Sequence, residues 1–357
     1  MRVIISAGGT GGHIYPALAI INKIKEKEPD SEFLYIGTHN RMEKDIIPEK
    51  GIPFKSIEMY GFNKKNLFKN FKTVNCLIKA FRDCKKIIRE FNPDVVIGVG
   101  GYVTVPVIYS AKKLGYKTFL HEQNSLPGKS NKFLIKYCDL IGASFPSSLE
   151  LLPRDKTILT GNPCSEDALK KAAASKEELG LSSDKKLVLI VMGSLGAGRV
   201  SDYLKGELQK FESKDYEVLF VTGKSSYDKV MENKYPSNVK IIPFYEGLPS
   251  LMKKTDLMVT RAGASTLSEV IALGVPSIII PSPFVANNHQ YYNAKELYDK
   301  GCIELLEEKD LTVERLEEKI NELLNDTEKE LSLVSNMARE NTLESGSIIY
   351  NAIKEIL

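Results

Sequence analysis

The sequence predicts an α/β protein with two parallel β-sheets, each covered by helices on both faces. Short β-branched runs alternate with helical patterns along the whole chain, and a strand–glycine loop–helix pattern occurs twice. The chain has 357 residues, more than a single core usually holds. Continuous apolar strands between helices are typical of parallel sheets buried on both faces, joined by right-handed crossovers.

Ten short apolar runs are predicted to be strands. In the first half they are Arg2–Ser6, Glu32–Ile36, Asp94–Ile97, Thr118–Leu120 and Lys156–Thr160. In the second half they are Leu187–Val191, Glu217–Val221, Val239–Ile241, Leu257–Val259 and Ser277–Ile280.

The repeated pattern indicates where the chain divides into domains. VIISAGGTGG at 3–12 and VLIVMGSLGAG at 188–198 share the order strand, glycine loop, helix, so each is expected to open its own doubly wound sheet. Between them, LTGNPCSED at 159–167 runs from a strand into a Gly-Asn-Pro turn. We therefore place the domain boundary in this stretch.

The composition excludes several classes of protein. Apolar residues make up 43% and charged residues 27% of the chain, as in ordinary globular proteins. No apolar run approaches the roughly 18 residues of a membrane span, and no signal-peptide pattern precedes the first strand. The five cysteines are scattered without C-x-x-C spacing, which argues against a disulfide framework or zinc site and fits a reducing cytosol.

The net charge of +3 hides an asymmetry between the two halves. Residues 1–163 carry 25 Lys and Arg against 15 Asp and Glu, whereas the remainder carries 24 against 31. Residues 55–89 alone hold ten basic residues against two acidic ones. An anionic partner is therefore expected for the first half.

Both glycine loops suit an anion, because glycine lets a ligand approach the backbone and a helix start offers N–H groups and a positive dipole end. Neither loop matches the dinucleotide fingerprint, since Ile14 stands where the third glycine would be, and neither has the Gly-Lys-Ser/Thr of a P-loop. A tight turn that binds nothing is the alternative for either loop alone. Two such loops favour anion binding beyond the carboxyl ends of the strands.

His13 closes the first glycine run. The positive end of the helix dipole disfavours the protonated imidazole, and a neutral imidazole is suited to act as a general base near physiological pH. The alternative is a ring that only hydrogen-bonds a loop carbonyl. The spacing alone leaves these two hypotheses open.

Two polar turns follow other strands of the first half. In GVGGYVTVP at 98–106, the glycines allow Tyr102 and Thr104 to lie against a ligand or an opposing loop. In HEQNSLPG at 121–128, four polar residues end a buried strand, which is costly unless they are paired or face a cleft. We expect His121 to be a histidine satisfied by partners rather than a second base. Asn124 offers a donor and an acceptor to a sugar hydroxyl.

The stretch TRAGASTLSEVIALGVPSIIIP at 260–281 predicts a second anion site. Small residues from Gly263 open a helix whose N–H groups face an anion, and Glu269 lies one turn along it. That carboxylate suits the two vicinal hydroxyls of a ribose. A surface charge on a capped helix is the alternative. NNHQYYNA at 287–294 places His289 and Gln290 in another turn at the end of a strand.

GGTGGHIYP, GVGGYV, HEQN, GNP, RAGASTLSE and NNHQ follow one another along essentially the whole chain. In combination they resemble the family of peptidoglycan N-acetylglucosaminyltransferases, which act on an undecaprenyl-diphospho-muramoyl-peptide. The resemblance implies a GT-B fold with two Rossmann-like domains facing across a cleft. It implies that 1–161 together with the returning last helix, 343–357, form an acceptor and membrane-associated domain, and that 162–342 bind UDP-N-acetylglucosamine.

The resemblance also assigns ligand contacts in the second domain. Ser194 is implied to contact the phosphates, Tyr245 the uracil, and Glu269 the ribose. The complete implied set is Ser165, Ser194, Phe244, Tyr245, Arg261, Ala264, Ser265, Thr266, Leu267, Ser268, Glu269 and Gln290.

In the first domain the resemblance implies that His13 is a candidate for the catalytic base. Asn124, with Gln290, is implied to hold the N-acetylglucosamine. Thr10, Gly11 and Gly12 approach the reacting groups on the donor side, and Gly9, Tyr102, His121 and Glu122 lie on the acceptor side.

This sequence departs from the family pattern at two positions. Where the family often has an arginine after GNP, this chain has Ser165, and Lys224 and Arg199 are both candidates to supply the missing charge. His289 precedes Gln290 where two adjacent glutamines are common.

The implied reaction is an inverting displacement in which the acceptor C4 hydroxyl attacks the anomeric carbon. N–H groups at 264–266, together with Arg261, are expected to stabilise the leaving UDP. No Asp-x-Asp motif occurs, and no metal or other cofactor is expected.

Residues 61–91 interleave apolar and basic side chains, as membrane-surface helices do. With the lipid-linked acceptor, this favours peripheral docking on an anionic membrane surface, at the cytoplasmic face. The alternative is an ordinary amphipathic helix with a solvated basic face.

Three other functions compete with this interpretation. A different GT-B enzyme that glycosylates a diacylglycerol or small molecule with a UDP-sugar would share the donor half. A nucleic-acid-binding protein would use 55–89, although no RNA-binding motif occurs and no nucleic-acid partner is expected. A nucleotide-sugar sensor would bind the donor without turnover.

Overall fold

The structure is a computed structural model that describes residues 1–59, 67–193 and 197–357, with side chains described from 76 and from 199 onward in the helices that begin at 67 and 197. The chain divides into two compact units, one of Met1–Cys164 with Glu344–Leu357 and one of Ser165–Leu343. The boundaries predicted from the sequence lie within a few residues of these. Which unit binds the donor stays a prediction.

The first unit contains a seven-stranded, wholly parallel sheet in the order β3-β2-β1-β4-β5-β6-β7. Its strands are β1 Arg2–Ala7, β2 Glu32–Thr38, β3 Phe54–Ile57, β4 Val95–Gly100, β5 Lys117–Glu122, β6 Leu140–Ala143 and β7 Thr157–Leu159. Its helices are α1 Gly11–Lys27, α2 Glu43–Glu49, α3 Leu67–Phe91, α4 Thr104–Lys113, α5 Lys129–Leu134 and the last of the chain, α14 Ser345–Ile356. The helix α6 Cys164–Lys170 begins at the unit boundary.

The second unit contains a six-stranded parallel sheet in the order β10-β9-β8-β11-β12-β13. Its strands are β8 Leu187–Val191, β9 Glu217–Val221, β10 Val239–Ile242, β11 Leu257–Thr260, β12 Ser277–Ile279 and β13 Glu304–Leu305. Its remaining helices are α7 Ala197–Glu207, α8 Tyr227–Val230, α9 Leu248–Met252, α10 Ala264–Leu273, α11 His289–Asp299, α12 Val313–Asn325 and α13 Thr327–Glu340.

These two sheets confirm the predicted fold class. All ten predicted strands form, and three further strands, β3, β6 and β13, were not predicted. In both sheets the strand order reverses beside the first strand, between β1 and β4 and between β8 and β11. Ligands of open α/β sheets bind at such reversal points, beyond the carboxyl ends of the strands. Both glycine loops begin there.

The first sheet is covered on both faces, as its continuous apolar strands predict. Ile14, Ile20 and Ile24 of α1 and Ile349 and Ile353 of α14 share one core with the sheet. Helices α3 and α4 contribute to a second core that includes alternate residues of the same strands.

The last helix is tied to α1 by polar contacts as well. The Glu28 carboxylate accepts a hydrogen bond from the Tyr350 hydroxyl at 2.8 Å and pairs with Lys354 at 2.9 Å and the Met1 amine at 3.3 Å. These contacts, with Lys354 and Tyr350 foremost, lower the pKa of Glu28 to about 2. The C-terminal helix is therefore an integral part of the first unit.

Candidate active site

In the first unit, the loops that follow β1 and β4 pack backbone against backbone. The Gly8 N–H donates to the Gly100 carbonyl at 3.2 Å. Gly100 and Gly101 have φ values of +116° and +88°, and a Cβ on Gly101 would collide with the Gly8 carbonyl oxygen. Only glycine meets both requirements at low cost. The reversal point of this sheet is therefore built from three glycines.

His13 is the third residue of α1, and its partly buried imidazole lies over this junction. Its Nδ1 is 3.2 Å from the Gly8 carbonyl oxygen. Because a carbonyl only accepts, this contact requires the hydrogen on Nδ1, which leaves the lone pair of the neutral ring on Nε2. A Cβ on Gly100 would lie 2.5 Å from His13 Cδ2, so the ring is also held by steric contact.

Glu43, at the start of α2, is part of this site and was missed in the sequence analysis. Its side chain is fully buried and accepts hydrogen bonds from the Gly9 N–H at 3.1 Å, the Thr38 N–H at 3.0 Å and the Thr38 hydroxyl at 2.6 Å. No motif surrounds Glu43 in the sequence. The one indirect signal in the sequence was that positions 8 and 37 are glycines. A Cβ on Gly8 or Gly37 would come within 2.6 Å of the Glu43 side chain.

His121, at the end of β5, has partners on both ring nitrogens, as a histidine satisfied by its surroundings does. It is fully buried, with Nε2 3.1 Å from the Gly161 carbonyl and Nδ1 3.0 Å from the Gln123 amide nitrogen. Burial lowers the pKa of His121 to about 4, although its bond to Gly161 opposes the shift. It is therefore neutral at pH 7, and its place on the acceptor side stays a prediction.

Glu122 shapes the turn that presents Asn124. Its buried carboxylate accepts hydrogen bonds from the Asn124 N–H at 2.9 Å, the Asn124 amide at 3.2 Å, the Gly128 N–H at 2.9 Å and the Asn131 amide at 2.8 Å. Such a set of donors fits an ionised carboxylate. Glu122 therefore has a clear structural role here, and its contact with an acceptor stays a prediction.

The other first-unit candidates surround the same junction. Tyr102 is partly buried against the core beside α4, and the Thr104 hydroxyl donates to the Gly101 carbonyl at 2.7 Å. Gly11 and Gly12 are the first two residues of α1, and their N–H groups, like all those of a first helical turn, have no carbonyl partner within the helix. These N–H groups and that of Thr10 are the ones predicted to approach an anion, and this contact stays a prediction.

In the second unit, α10 begins directly at the end of β11. Gly263 precedes the helix in an extended conformation, and its carbonyl accepts the first backbone bond, from Leu267. The N–H groups of 264–266 are therefore available for capping by a ligand. The Ser265 hydroxyl oxygen is buried without a hydrogen-bond partner among the described residues. Leu267 is fully buried and its N–H donates to the Gly263 carbonyl, so its predicted contact with a ligand stays a prediction.

Glu269 lies one turn further along α10. Burial raises the pKa of its carboxyl to about 8, and the nearby charge of Asp167 contributes to the same shift. The carboxyl is therefore mostly protonated at pH 7 in the unliganded protein. A protonated carboxyl is a poor acceptor for two hydroxyls, so binding of a ribose there would favour loss of the proton.

Arg261 is less accessible than the sequence analysis expected. Its guanidinium is buried, forms an ion pair with Glu308 at 2.8 Å, and donates to the Ile280 carbonyl at 3.0 Å. Burial lowers the pKa of Arg261 from its ordinary value, and Glu308 opposes this shift. Its predicted role toward the leaving group would require a change in this pairing and stays a prediction.

The start of α11 is positioned by its own side chains. The Gln290 side-chain oxygen accepts from the Ser282 N–H at 2.8 Å, and His289 Nδ1 is 2.8 Å from the Ala286 carbonyl. Asn287 and Asn288 both have left-handed backbone conformations, with φ of 55° and 51°. The Gln290 amide nitrogen takes no part in the bond to Ser282, and its predicted contact with the sugar stays a prediction.

The residues predicted to contact the uracil and phosphates differ in accessibility. Phe244 is exposed, with Lys224 Nζ 5.3 Å from its ring centre, and Tyr245 beside it is partly buried. Arg199 instead lies over Phe284, at 5.1 Å. Of the two candidates for the missing charge, Lys224 is thus the one beside a predicted uracil contact.

Two further residues predicted to bind UDP-N-acetylglucosamine use their hydroxyls in hydrogen bonds within the protein. Ser165 is buried, and its hydroxyl donates to the Thr342 carbonyl at 3.3 Å. Ser268 donates to the Ser265 carbonyl at 2.7 Å. Ser194 lies outside the described residues.

Within the described residues, no group of three or more His, Cys, Asp or Glu side chains is arranged to hold a metal ion. The five cysteines are all free and buried. None of the described helices combines the length and the apolarity needed to span a membrane.

Two Rossmann-like units, each with a helix that begins at the reversal point of its sheet, are typical of glycosyltransferases that use activated sugars. Models of two protein families match the chain, the glycosyltransferase family 28 N-terminal domain over residues 3–142 and the C-terminal domain of the same family over residues 187–354. The chain therefore belongs to glycosyltransferase family 28.

Curated relatives extend this similarity over nearly the whole chain. The chain is 50% identical over 333 residues, 92% of each chain, to a UDP-N-acetylglucosamine--N-acetylmuramyl-(pentapeptide) pyrophosphoryl-undecaprenol N-acetylglucosamine transferase of Bacillus cytotoxicus. It is 44% identical to the protein of the same name from Bacillus licheniformis, over 100% of this chain and 99% of that one. The crystal structure of Acinetobacter baumannii MurG is similar at a TM-score of 0.75, with 25% identity over 99% of both chains.

Proposed function

We propose that this protein transfers N-acetylglucosamine from UDP-N-acetylglucosamine to the C4 hydroxyl of undecaprenyl-diphospho-muramoylpentapeptide, with inversion. The observation that carries the proposal is the 50% identity, over 92% of both chains, to a relative named for this transfer. That name gives a donor with a UDP group and an acceptor with a pyrophosphoryl group, and both groups are anions. Two predicted anion sites, one in each unit, would fit two such substrates.

On the donor side, we propose that the N–H groups at the start of α10 bind the diphosphate of UDP-N-acetylglucosamine. The Ser265 hydroxyl, buried and without a protein partner among the described residues, would be satisfied by the same ligand. Glu269 would hold the ribose hydroxyls, and Gln290 the sugar.

On the acceptor side, we propose that the muramoyl C4 hydroxyl gives its proton to His13 Nε2 as its oxygen attacks the anomeric carbon. The new carbon–oxygen bond forms while the bond to UDP breaks, and UDP leaves with the bonding electron pair. The helix-start N–H groups stabilise the charge that develops on its phosphate. The tautomer required by the Gly8 contact presents the proton-accepting nitrogen.

A donor and acceptor matrix tests this function. We expect turnover with UDP-N-acetylglucosamine and the lipid-linked muramoylpentapeptide in detergent, and a β-linkage in the product by proton NMR. UDP-glucose as donor and diacylglycerol as acceptor serve as the matched controls. Transfer to diacylglycerol in preference to the muramoyl lipid would favour the other glycosyltransferase hypothesis, and donor binding without any turnover would favour a sensor.

We further propose that the protein docks on the anionic cytoplasmic face of the membrane through 61–91. Part of this segment, 61–66, and the side chains to 75 lie outside the described residues. In the described part, Lys79, Arg82 and Lys86 are exposed, beside Ile78 at 56% exposure. Leu77 and Phe81 do not share this face, because both pack toward the core. In the described part of this segment, Ile78 is therefore the apolar side chain proposed to contact the membrane.

Vesicle co-sedimentation tests this docking. We expect binding to phosphatidylglycerol vesicles that weakens as salt rises, because exposed charges are screened. Arg82→Glu should reduce it severalfold, whereas Lys117→Glu, an equal charge change at an exposed position outside this segment, should not. Equal binding to phosphatidylcholine vesicles at low salt would contradict the electrostatic part of the proposal.

A further inference from the structure

The Glu43 carboxylate has no part in the reaction as proposed above, yet it is fully buried beside the first glycine loop. Burial of a carboxylate is costly unless its oxygens accept hydrogen bonds. One oxygen accepts both the N–H and the hydroxyl of Thr38, and the other accepts the Gly9 N–H. All three contacts are donations to the carboxyl group, the pattern of an ionised carboxylate.

The bond to Gly9 reaches His13 through a single peptide group. The N–H of the Gly8–Gly9 peptide donates to Glu43 at 3.1 Å, and the C=O of the same peptide accepts from His13 Nδ1 at 3.2 Å. Carboxylate, peptide and imidazole thus form one hydrogen-bonded chain. The peptide is held from another side as well, because Gly101 lies against its carbonyl oxygen.

We propose that Glu43 is a positioning residue for His13. Its carboxylate does not contact the imidazole directly but acts on it through the Gly8–Gly9 peptide. This inference rests on the proposed role of His13 as the base. Glu43 takes no proton in the reaction. The proton moves from the acceptor hydroxyl to Nε2 and stays on the imidazolium until the product leaves.

The physical basis is the polarisation of the peptide group. A hydrogen bond from the N–H to an anion makes the carbonyl oxygen of the same peptide more negative, and hydrogen bonds in a chain strengthen one another. The carbonyl then holds the Nδ1 hydrogen more firmly, which fixes the tautomer. It also stabilises the imidazolium that forms when Nε2 accepts the proton.

Other ionisable groups near Glu43 leave this arrangement unchanged around neutral pH. The Tyr35 hydroxyl donates to the Ala7 carbonyl, and burial, followed by the charge of Glu43, raises its pKa well above the ordinary value. It therefore stays neutral. Lys44 and Asp45, next along α2, are exposed, and their charged groups lie 4.0 Å apart.

Glu43→Gln is the test variant, because it keeps the shape and removes the charge. Its amide oxygen can accept the two Thr38 donors, which leaves the amide N–H₂ facing the Gly9 N–H. We expect kcat to fall about tenfold, the affinity for UDP to stay within about twofold, and the acid limb of the pH–rate profile to move to lower pH. Thr38→Val is the matched control. It removes one bond to Glu43 but keeps the Gly9 contact, so it should retain the pH profile.

The histidine tautomers give a second measurement, which needs no variant at Glu43. In ¹⁵N-labelled wild-type protein we expect His13 to carry its hydrogen on Nδ1 and His121 to carry it on Nε2, because each of these nitrogens faces a carbonyl. The protein has four histidines, so each signal can be assigned from one substitution. Should Glu43→Gln fail to fold, a wild-type His13 with its hydrogen on Nε2 would still overturn the inference.

The outcomes separate this inference from the proposed function. A Glu43→Gln enzyme with unchanged kcat and pH profile overturns the positioning role and leaves the base intact. A wild-type His13 with its hydrogen on Nε2 overturns the positioning role and also proton transfer to that nitrogen. A His13→Ala enzyme that stays active overturns the base itself, whatever the result at Glu43.

Discussion

His13→Ala is expected to lower kcat by about 10²- to 10⁴-fold, the usual contribution of a general base. The affinity for UDP should change little, because the proposed donor site is built from residues of the second unit. Initial rates at saturating substrates, with UDP affinity from calorimetry, measure both quantities.

Chemical rescue makes this test specific for the imidazole. The ring of His13 lies against Gly100, so its removal opens space at the junction of the two loops. Added imidazole should restore part of the activity of His13→Ala, with a pH dependence that follows the free base. A fall of less than tenfold in kcat would rule out the general-base role.

Glu269→Ala is expected to weaken UDP binding about 10- to 100-fold, since hydrogen bonds to a charged group contribute about 1.5–3 kcal/mol. The matched ligand is 2′-deoxy-UDP, which lacks one of the two hydroxyls assigned to this carboxylate. Its affinity should be low for the wild type and change less on substitution. An equal loss for both ligands would show that Glu269 does not hold the 2′-hydroxyl.

The proposed ribose contact of Glu269, together with its raised pKa, predicts that donor binding depends on pH. The ionised form accepts both hydroxyls, and the unliganded pKa is about 8, so UDP affinity should rise with pH until about 8 and then level off. Asp167→Asn removes a charge that raises this pKa, so the rise should end at lower pH. Glu269→Gln should lose the rise altogether. A wild-type affinity that is constant between pH 6 and 9 would contradict this coupling.

The raised pKa of Glu269 should also affect protein stability, which is expected to fall as pH rises, whereas donor affinity is expected to rise. The carboxyl ionises near pH 4.5 when unfolded and near 8 when folded, so the unfolded state loses its proton first as pH rises. In the absence of ligand, this group therefore lowers stability progressively between about pH 4.5 and 8. Glu269→Gln should remove that decrease, which thermal melts at both ends of the range can measure.

The strands missed from the sequence were those with weak local patterns. β3 and β13 are edge strands, and β3 carries the exposed Lys55 and Ser56, which interrupt its apolar pattern. β6 lies inside the sheet but contains Gly142, whose Cβ would lie 2.8 Å from the Phe119 ring. The glycine lowers the β-propensity of this segment, so the local sequence does not predict a strand. The close packing of the neighbouring strand explains why a glycine is present.

Sequence patterns determined the two doubly wound sheets, the glycine loops at their reversal points and the start of α10, because strand and helix periodicity and glycine spacing are local properties. The roles of Glu43 and Arg261 and the inward orientation of Leu77 and Phe81 depend on which residues distant in the chain become neighbours. Glu43 contacts Gly9 across 34 positions and Arg261 contacts Glu308 across 47. A buried charge is stable only where such neighbours supply its partners, so the tertiary structure alone decided how the proposed base and the predicted donor site are supported.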